Sequence, residues 1–180
     1  MKALRWKTFP FLFVLILTSC TGCEEPDPTV LPAETQTGKN TFGCYVNNEL
    51  YVGGFSNLMG PKPLEAIYNK TVQKLKIISI GRIEDKYQQI INIEVSSPVV
   101  DSTLKITQGN FESQDIHQYK LYSFYNSGEI YFTKLDTVSK IVSGRFNFIG
   151  KNLDFELKPI GTDSIIITNG RFDLKLTIIN

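Results

Sequence analysis

Histidine and tryptophan occur once each in this chain of 180 residues, and cysteine three times. A single histidine, His117, gives no basis for a zinc site, which needs several His or Cys ligands at short spacing. A Ser/His/Asp or Cys/His nucleophile system has only that residue to draw on. No D-x-[DN]-x-[DN]-G calcium loop and no nucleotide-binding loop stands out, so no cofactor is expected. Three cysteines are too few for a disulfide scaffold. Charge of one sign is missing as well, with 19 Lys and Arg against 18 Asp and Glu. Nucleic-acid binding needs a concentrated positive surface to displace counterions from phosphates, and this balance argues against it. No apolar run reaches the roughly 20 residues that a membrane-crossing helix requires.

The amino terminus has a clear order. Lys2, Arg5 and Lys7 precede a short apolar run, residues 9–17 (FPFLFVLIL), which is closed by Leu17-Thr18-Ser19-Cys20. That is the export-signal pattern of positive end, apolar stretch and small residues at the cut. L-T-S-C resembles the lipobox of bacterial lipoproteins, which implies cleavage after Ser19 and lipid on the Cys20 sulfur. Stable anchoring takes more than one acyl chain, and that modification supplies several, palmitate-type chains included. Residues 1–19 are therefore expected to be a signal peptide. Losing three of the 19 basic residues with it leaves 16 against 18 acidic ones. Residues 24–40 (EEPDPTVLPAETQTGKN) hold three prolines and no aromatics. We expect a lipid-anchored flexible tether over 20–40, reaching up to about 50 Å when extended. Glu24, Glu25 and Asp27 match either an acidic export tag or a plain acidic linker. Cys44 reads as a buried small hydrophobe rather than the partner of Cys23 in a bridge.

From Thr41 to the end, period-2 alternation dominates. The clearest cases are residues 153–158, 171–178 and 87–95, with Phe146 and Phe148 between Arg145 and Asn147. Shorter candidates lie at 42–46, 49–52, 64–68, 72–80, 104–107, 117–125, 129–134 and 164–168, and only 83–89 suggests a helical turn. Asn47-Asn48, Asn126-Ser127-Gly128, Gly150-Lys151-Asn152 and, most strongly, Asn169-Gly170 read as hairpin turns. Strands joined by tight turns are antiparallel. The expectation is one all-β domain over 41–180, an antiparallel β-sandwich or partly open barrel. A short echo links residues 106–111 (ITQGNF), 167–172 (ITNGRF) and 143–146 (SGRF). Its simplest reading is a glycine before a strand whose phenylalanine enters the core.

The stretch 35–47, T-Q-T-G-K-N-T-F-G-C-Y-V-N, resembles the opening of a family of uncharacterised Gram-negative (Bacteroides-type) envelope lipoproteins. Residues 167–173, I-T-N-G-R-F-D, look like the same family's closing strand. The resemblance implies an envelope lipoprotein with a β-rich domain and carries over no catalytic or binding residue.

The segment with most functional colour contains Tyr119, Tyr122, Phe124, Tyr125, Tyr131 and Phe132. Alternation puts Tyr122 and Phe124 on one face and Tyr119 and Tyr125 on the other, so one set is open to solvent if the other is core. Tyr119, Tyr122, Phe124, Tyr125 and Tyr131 are the candidate ligand-contact aromatics, of the kind that stack on sugars; ordinary sheet packing is the commoner role. The expectation is a non-enzymatic binding module held at the outer membrane and exposed at the cell surface or facing inward. Its partners would be the membrane, through the lipid, and a glycan or envelope protein. The alternatives are a small hydrolase using Asp154 with Glu156, or Asp101 with Glu112, assisted by His117, and an inert accessory subunit of a surface complex.

Overall fold

The computed structural model describes residues 29–55, 62–83, 88–114, 119–125, 128–154 and 158–180. The signal segment, Cys20, Cys23, the acidic cluster, Tyr87, His117 and Glu156 lie outside them, as does the side chain of Tyr125. Eleven strands follow in chain order: β1 (Thr41–Val46), β2 (Glu49–Gly53), β3 (Leu64–Asn69), β4 (Lys74–Ile83), β5 (Gln89–Ser96) and β6 (Thr103–Lys105). The remainder are β7 (Gln108–Gln114), β8 (Tyr119–Tyr125), β9 (Glu129–Asp136), β10 (Ile141–Leu153) and β11 (Pro159–Ile179).

All eleven belong to one sheet that closes on itself. The chain is an all-β single domain, mostly antiparallel, with a ring of hydrogen bonds that is not an even barrel. The ring runs β11–β3–β4–β5–β7–β8–β10 and back to β11. Its one parallel pair is β11 with β3, from Leu176↔Ala66 to Ile179↔Asn69. The β1–β2 hairpin bridges β11 to the far end of β4. β9 and β6 extend from the same edge of β10 that β8 uses. The joints are unequal. β10 and β11 pair from Ile141↔Lys175 to Leu153↔Pro159, whereas β8 meets β10 only at Lys151↔Ser123 and Asn152↔Tyr122.

Inward residues alternate as the pattern requires. Leu75 and Ile77 on β4 and Ile91, Ile93 and Val95 on β5 make an aliphatic wall. Phe42, Phe132, Phe146, Phe148 and Phe172 make an aromatic one opposite. Ring planes of Phe124 and Phe148 stack at 3.8 Å between centroids. Burying one such ring is worth roughly 1.5–3 kcal/mol over leaving it in water.

The echoed Gly-x-Phe segments have a common physical cause. Gly109 faces Phe124, Phe146 faces Gly170 and Gly144 faces Phe172, each directly across a strand pair. A Cβ would lie 2.0 Å from the Phe124 ring at Gly109, 2.6 Å from Phe146 at Gly170 and 2.8 Å from Phe172 at Gly144. Each glycine leaves the space into which a neighbouring phenylalanine ring folds.

Several turn expectations are corrected. Asn47 and Asn48, with φ of 50° and 69°, do make the two-residue turn between β1 and β2. Asn169-Gly170 is not a turn but a bulge inside β11. Ile165 and Ile167 point inward before it, and Gly170, Phe172, Leu174 and Leu176 after it, a one-residue change of parity. Asn169 takes up the extra residue at φ 52°. A bulge flips the side-chain alternation as a hairpin would, so the pattern alone reads the same. Gly150-Lys151-Asn152 likewise lies within β10. Gly128 precedes β9, yet β8 and β9 do not pair, because both add to β10. The alternating 153–158 segment ends β10 at Leu153, and Asp154 accepts from the Lys158 N–H at 2.9 Å across the connection to β11. Ile83 and Gln89, the ends of the expected helical turn, are strand residues.

Candidate ligand-binding groove

The most motif-like residues come together first. Asp173, 1 % exposed, sits beneath the chain that leads into β1. Its carboxylate accepts from the Thr35 hydroxyl at 2.5 Å, from the backbone N–H groups of Thr37, Gly38 and Lys39 at 3.0, 2.8 and 3.2 Å, and from the Ser143 hydroxyl at 2.7 Å. Gly38 enters the left-handed region at φ 73°, which aims successive N–H groups at one carboxylate. Asn40 accepts from the Lys175 N–H and Asn47 from that of Ile166. The opening and closing motifs of the sequence are thus two halves of one staple.

Burial pushes the Asp173 carboxyl up, but the donors from Thr35, Ser143, Gly38 and Lys39 outweigh it and leave the group below its ordinary range. An ionised carboxylate with five donors has little capacity left to accept a substrate proton. Its role is structural. Residues 35–40, part of the expected tether over 20–40, belong to the folded body: Asp173 holds the Thr35 hydroxyl and the backbone of Thr37, Gly38 and Lys39, and Asn40 accepts from Lys175. Further upstream, Pro32 lies on Gly43, where a Cβ would be 2.5 Å from its Cδ, and its carbonyl accepts from Arg171 at 3.2 Å.

Cys44 is buried and unbridged, and burial pushes its thiol far up, which leaves it unreactive. Tyr51, also buried, shares its hydroxyl with Ser79 at 2.9 Å.

The aromatic candidates separate. Tyr122 and Phe124, each 5 % exposed, turn inward and pack on Phe111 and Phe148, although Phe124 still borders the groove described below. The reason is parity: on β8 the even positions face the ring interior. The Tyr122 hydroxyl still reaches the surface and donates to Asp163 at 3.0 Å. Tyr131 lies on the outer side and donates to Asp101 at 3.2 Å. Among the candidates whose side chains are described, Tyr119 alone stands well out, 61 % exposed, with partial burial and the Glu112 carboxylate beside it raising its phenol.

Across the outer side of β4, β5, β7, β8 and β10 runs an open groove of about 810 Å³. Asn92, Glu94, Gln108, Asn110, Ser123 and Lys151 line it, with Ile149 and Leu153 at one margin. Asn92 donates to Asn110 at 2.7 Å, and Asn110 to Glu112 at 3.1 Å, so the row crosses from β5 to β7 and continues along β7. Lys76 and Lys74 lie 4.0 and 3.8 Å from Glu94. Tyr119 is on the same side of β8 as Ser123, at the end where Glu112 lies. In the sequence these residues look like any solvent side of a strand; the curvature that gathers them has no local signature.

Of the alternative carboxylate pairs, only Asp101 with Glu112 lies wholly among the described residues, and each of the two has its own partner. Asp101, in the turn before β6, accepts from Tyr131, and Glu112, on β7, accepts from Asn110. Asp154 is tied to Lys158, and Glu156 is outside the described residues. Among the described residues no three His, Cys, Asp or Glu side chains gather as a metal site. No helix there is long and apolar enough to cross a membrane.

Fold and site together define a closed all-β domain with a polar, solvent-open groove on its outer side. Comparison with family models, curated proteins and solved structures returns no match.

Proposed function

We propose that this chain is a non-enzymatic binding module of the cell envelope, and that the groove takes a hydroxyl-rich ligand, a glycan being the fitting class. The observation that carries this reading is the row Asn92–Asn110–Glu112, which leaves the groove beside Gln108 and Ser123 and ends at exposed Tyr119 next to Glu112. Side-chain amides offer a donor and an acceptor at fixed spacing, which suits vicinal hydroxyls. A tyrosine ring at the end of the row supplies an apolar face for a sugar. Anchoring through lipid on Cys20, at the outer membrane, rests on the L-T-S-C pattern and the short apolar run before it.

A glycan array probed with the full chain tests the groove. Binding to oligosaccharides that is lost in Asn110→Ala and weakened in Tyr119→Ala is expected. Absence of any glycan signal, or signal unchanged in both variants, overturns the reading. Anchoring is tested separately: Cys20→Ala is expected to release the protein from sedimented membranes and to stop labelling by palmitate.

A further inference from the structure

A second concavity, of about 370 Å³, lies on the outer side at the other end of β10. Arg145 and Arg171 line it with Tyr131, Asn147, Asn169 and Glu34. The two arginines are direct partners in the β10–β11 register. Like charges facing each other across strands destabilise a sheet unless something negative offsets them.

What offsets them comes from the chain leading into β1. Arg145 sends Nε and Nη2 to a single carboxylate oxygen of Glu34, at 2.8 and 2.6 Å. That pair is 60 % and 41 % exposed, and an ion pair so open to water holds weakly. Arg171 is satisfied less well. One Nη donates to the Pro32 carbonyl, while its buried Nε–H has no acceptor among the described residues. The other carboxylate lining the cavity, Glu129, is engaged by Lys105 at 2.9 Å. Of the two guanidinium groups, Arg145 therefore has one loosely held carboxylate and Arg171 a single backbone carbonyl.

We propose that this twin-arginine cavity is an oxyanion site for a phosphate group, and that residues 31–34 form a strap whose Glu34 occupies it as a built-in competitor. The strap is pinned immediately downstream, where Thr35 to Lys39 hold Asp173, so Glu34 and Pro32 swing away without disturbing the staple. Lifting them frees the fork of Arg145 and the Nη of Arg171 that Pro32 holds, beside its unpartnered Nε–H. Guanidinium forks match the paired oxygens of a phosphate. A free phosphate and a phospholipid headgroup present the same chemistry.

Calorimetric titration of the full chain with sodium phosphate at constant ionic strength tests the site. Vesicles of phosphatidylglycerol in phosphatidylcholine form the second arm. Glu34→Gln is expected to bind one of these probes about tenfold more tightly than the wild type, a difference of about 1.4 kcal/mol. Adding Arg145→Gln is expected to abolish that binding. Arg145→Lys, which keeps the charge and loses the fork, is expected to weaken it several-fold while melting normally. Phosphate binding alone assigns a soluble ligand, and vesicle binding alone a headgroup. No binding of either probe to Glu34→Gln, equal affinity with and without Glu34, or binding that survives both Arg145 variants overturns the proposal.

Discussion

The strap side and the groove side of this sheet use polar residues in opposite ways. Both carboxylate oxygens of Asp173 are engaged by the protein, and the backbone of Thr37, Gly38 and Lys39 is committed to them. Across the groove, Asn92, Asn110 and Ser123 sit half-buried at the edge of solvent. A polar group with its partners supplied by the fold stabilises; one whose capacity is left to solvent is available to a ligand. The residues most recognisable as a motif are therefore the ones spent on the fold, and the face left open to solvent carries no motif.

Removing the staple breaks this contrast most severely. Asp173→Asn replaces an acceptor of five donors with an amide that must place its own N–H groups there, and a loss of about 3 kcal/mol is expected in urea denaturation. The pH dependence has a defined sign. Asp173 is held below its ordinary value, so its contribution is complete above the unfolded-state value near ~4 and fades as pH falls through the lower folded value. The wild type is expected to lose stability on acidification more steeply than Asp173→Asn. Parallel acid limbs for the two proteins would remove the staple from the account.

A smaller effect is expected at the aromatic wall. Gly170→Ala brings a methyl to 2.6 Å from the Phe146 ring and is expected to cost about 1–3 kcal/mol. The penalty should shrink in a Phe146→Leu background, where the obstructing ring is gone; an unchanged penalty in the double variant would show that ring contact is not its source. The least effect is expected in the groove, where Lys151→Ala should leave the melting midpoint within the equivalent of about 0.5 kcal/mol. A loss there comparable to that of Asp173→Asn would make both sides structural and erase the comparison.

Much of the fold was legible along the chain. Period-2 alternation marked the strands because each has one inward face, and Asn47-Asn48 declared its turn because both residues adopt positive φ. Burial of Cys44 was also legible, since its strand neighbours Phe42 and Val46 share its face. Asn169-Gly170 misled because a bulge and a turn change parity alike. Tyr122 and Phe124 misled because alternation says which residues share a face and not which face is inward. The staple was illegible for another reason: Thr35 and Asp173 are 138 positions apart, and a proline-containing polar segment reads as solvated chain whether or not a distant carboxylate holds it. The groove depends on sheet curvature, and no residue in it differs in kind from an ordinary surface residue.

β11, the last strand of the chain, has β10 along one edge and β1 and β3 along the other. No ring exists until residues 159–179 are available, so the earliest-made strands wait for the latest-made one. Long-range pairing of this sort slows folding. During synthesis the earlier strands have no completed ring to settle into, and β1 and β3 gain their partner along β11 only after those residues have emerged.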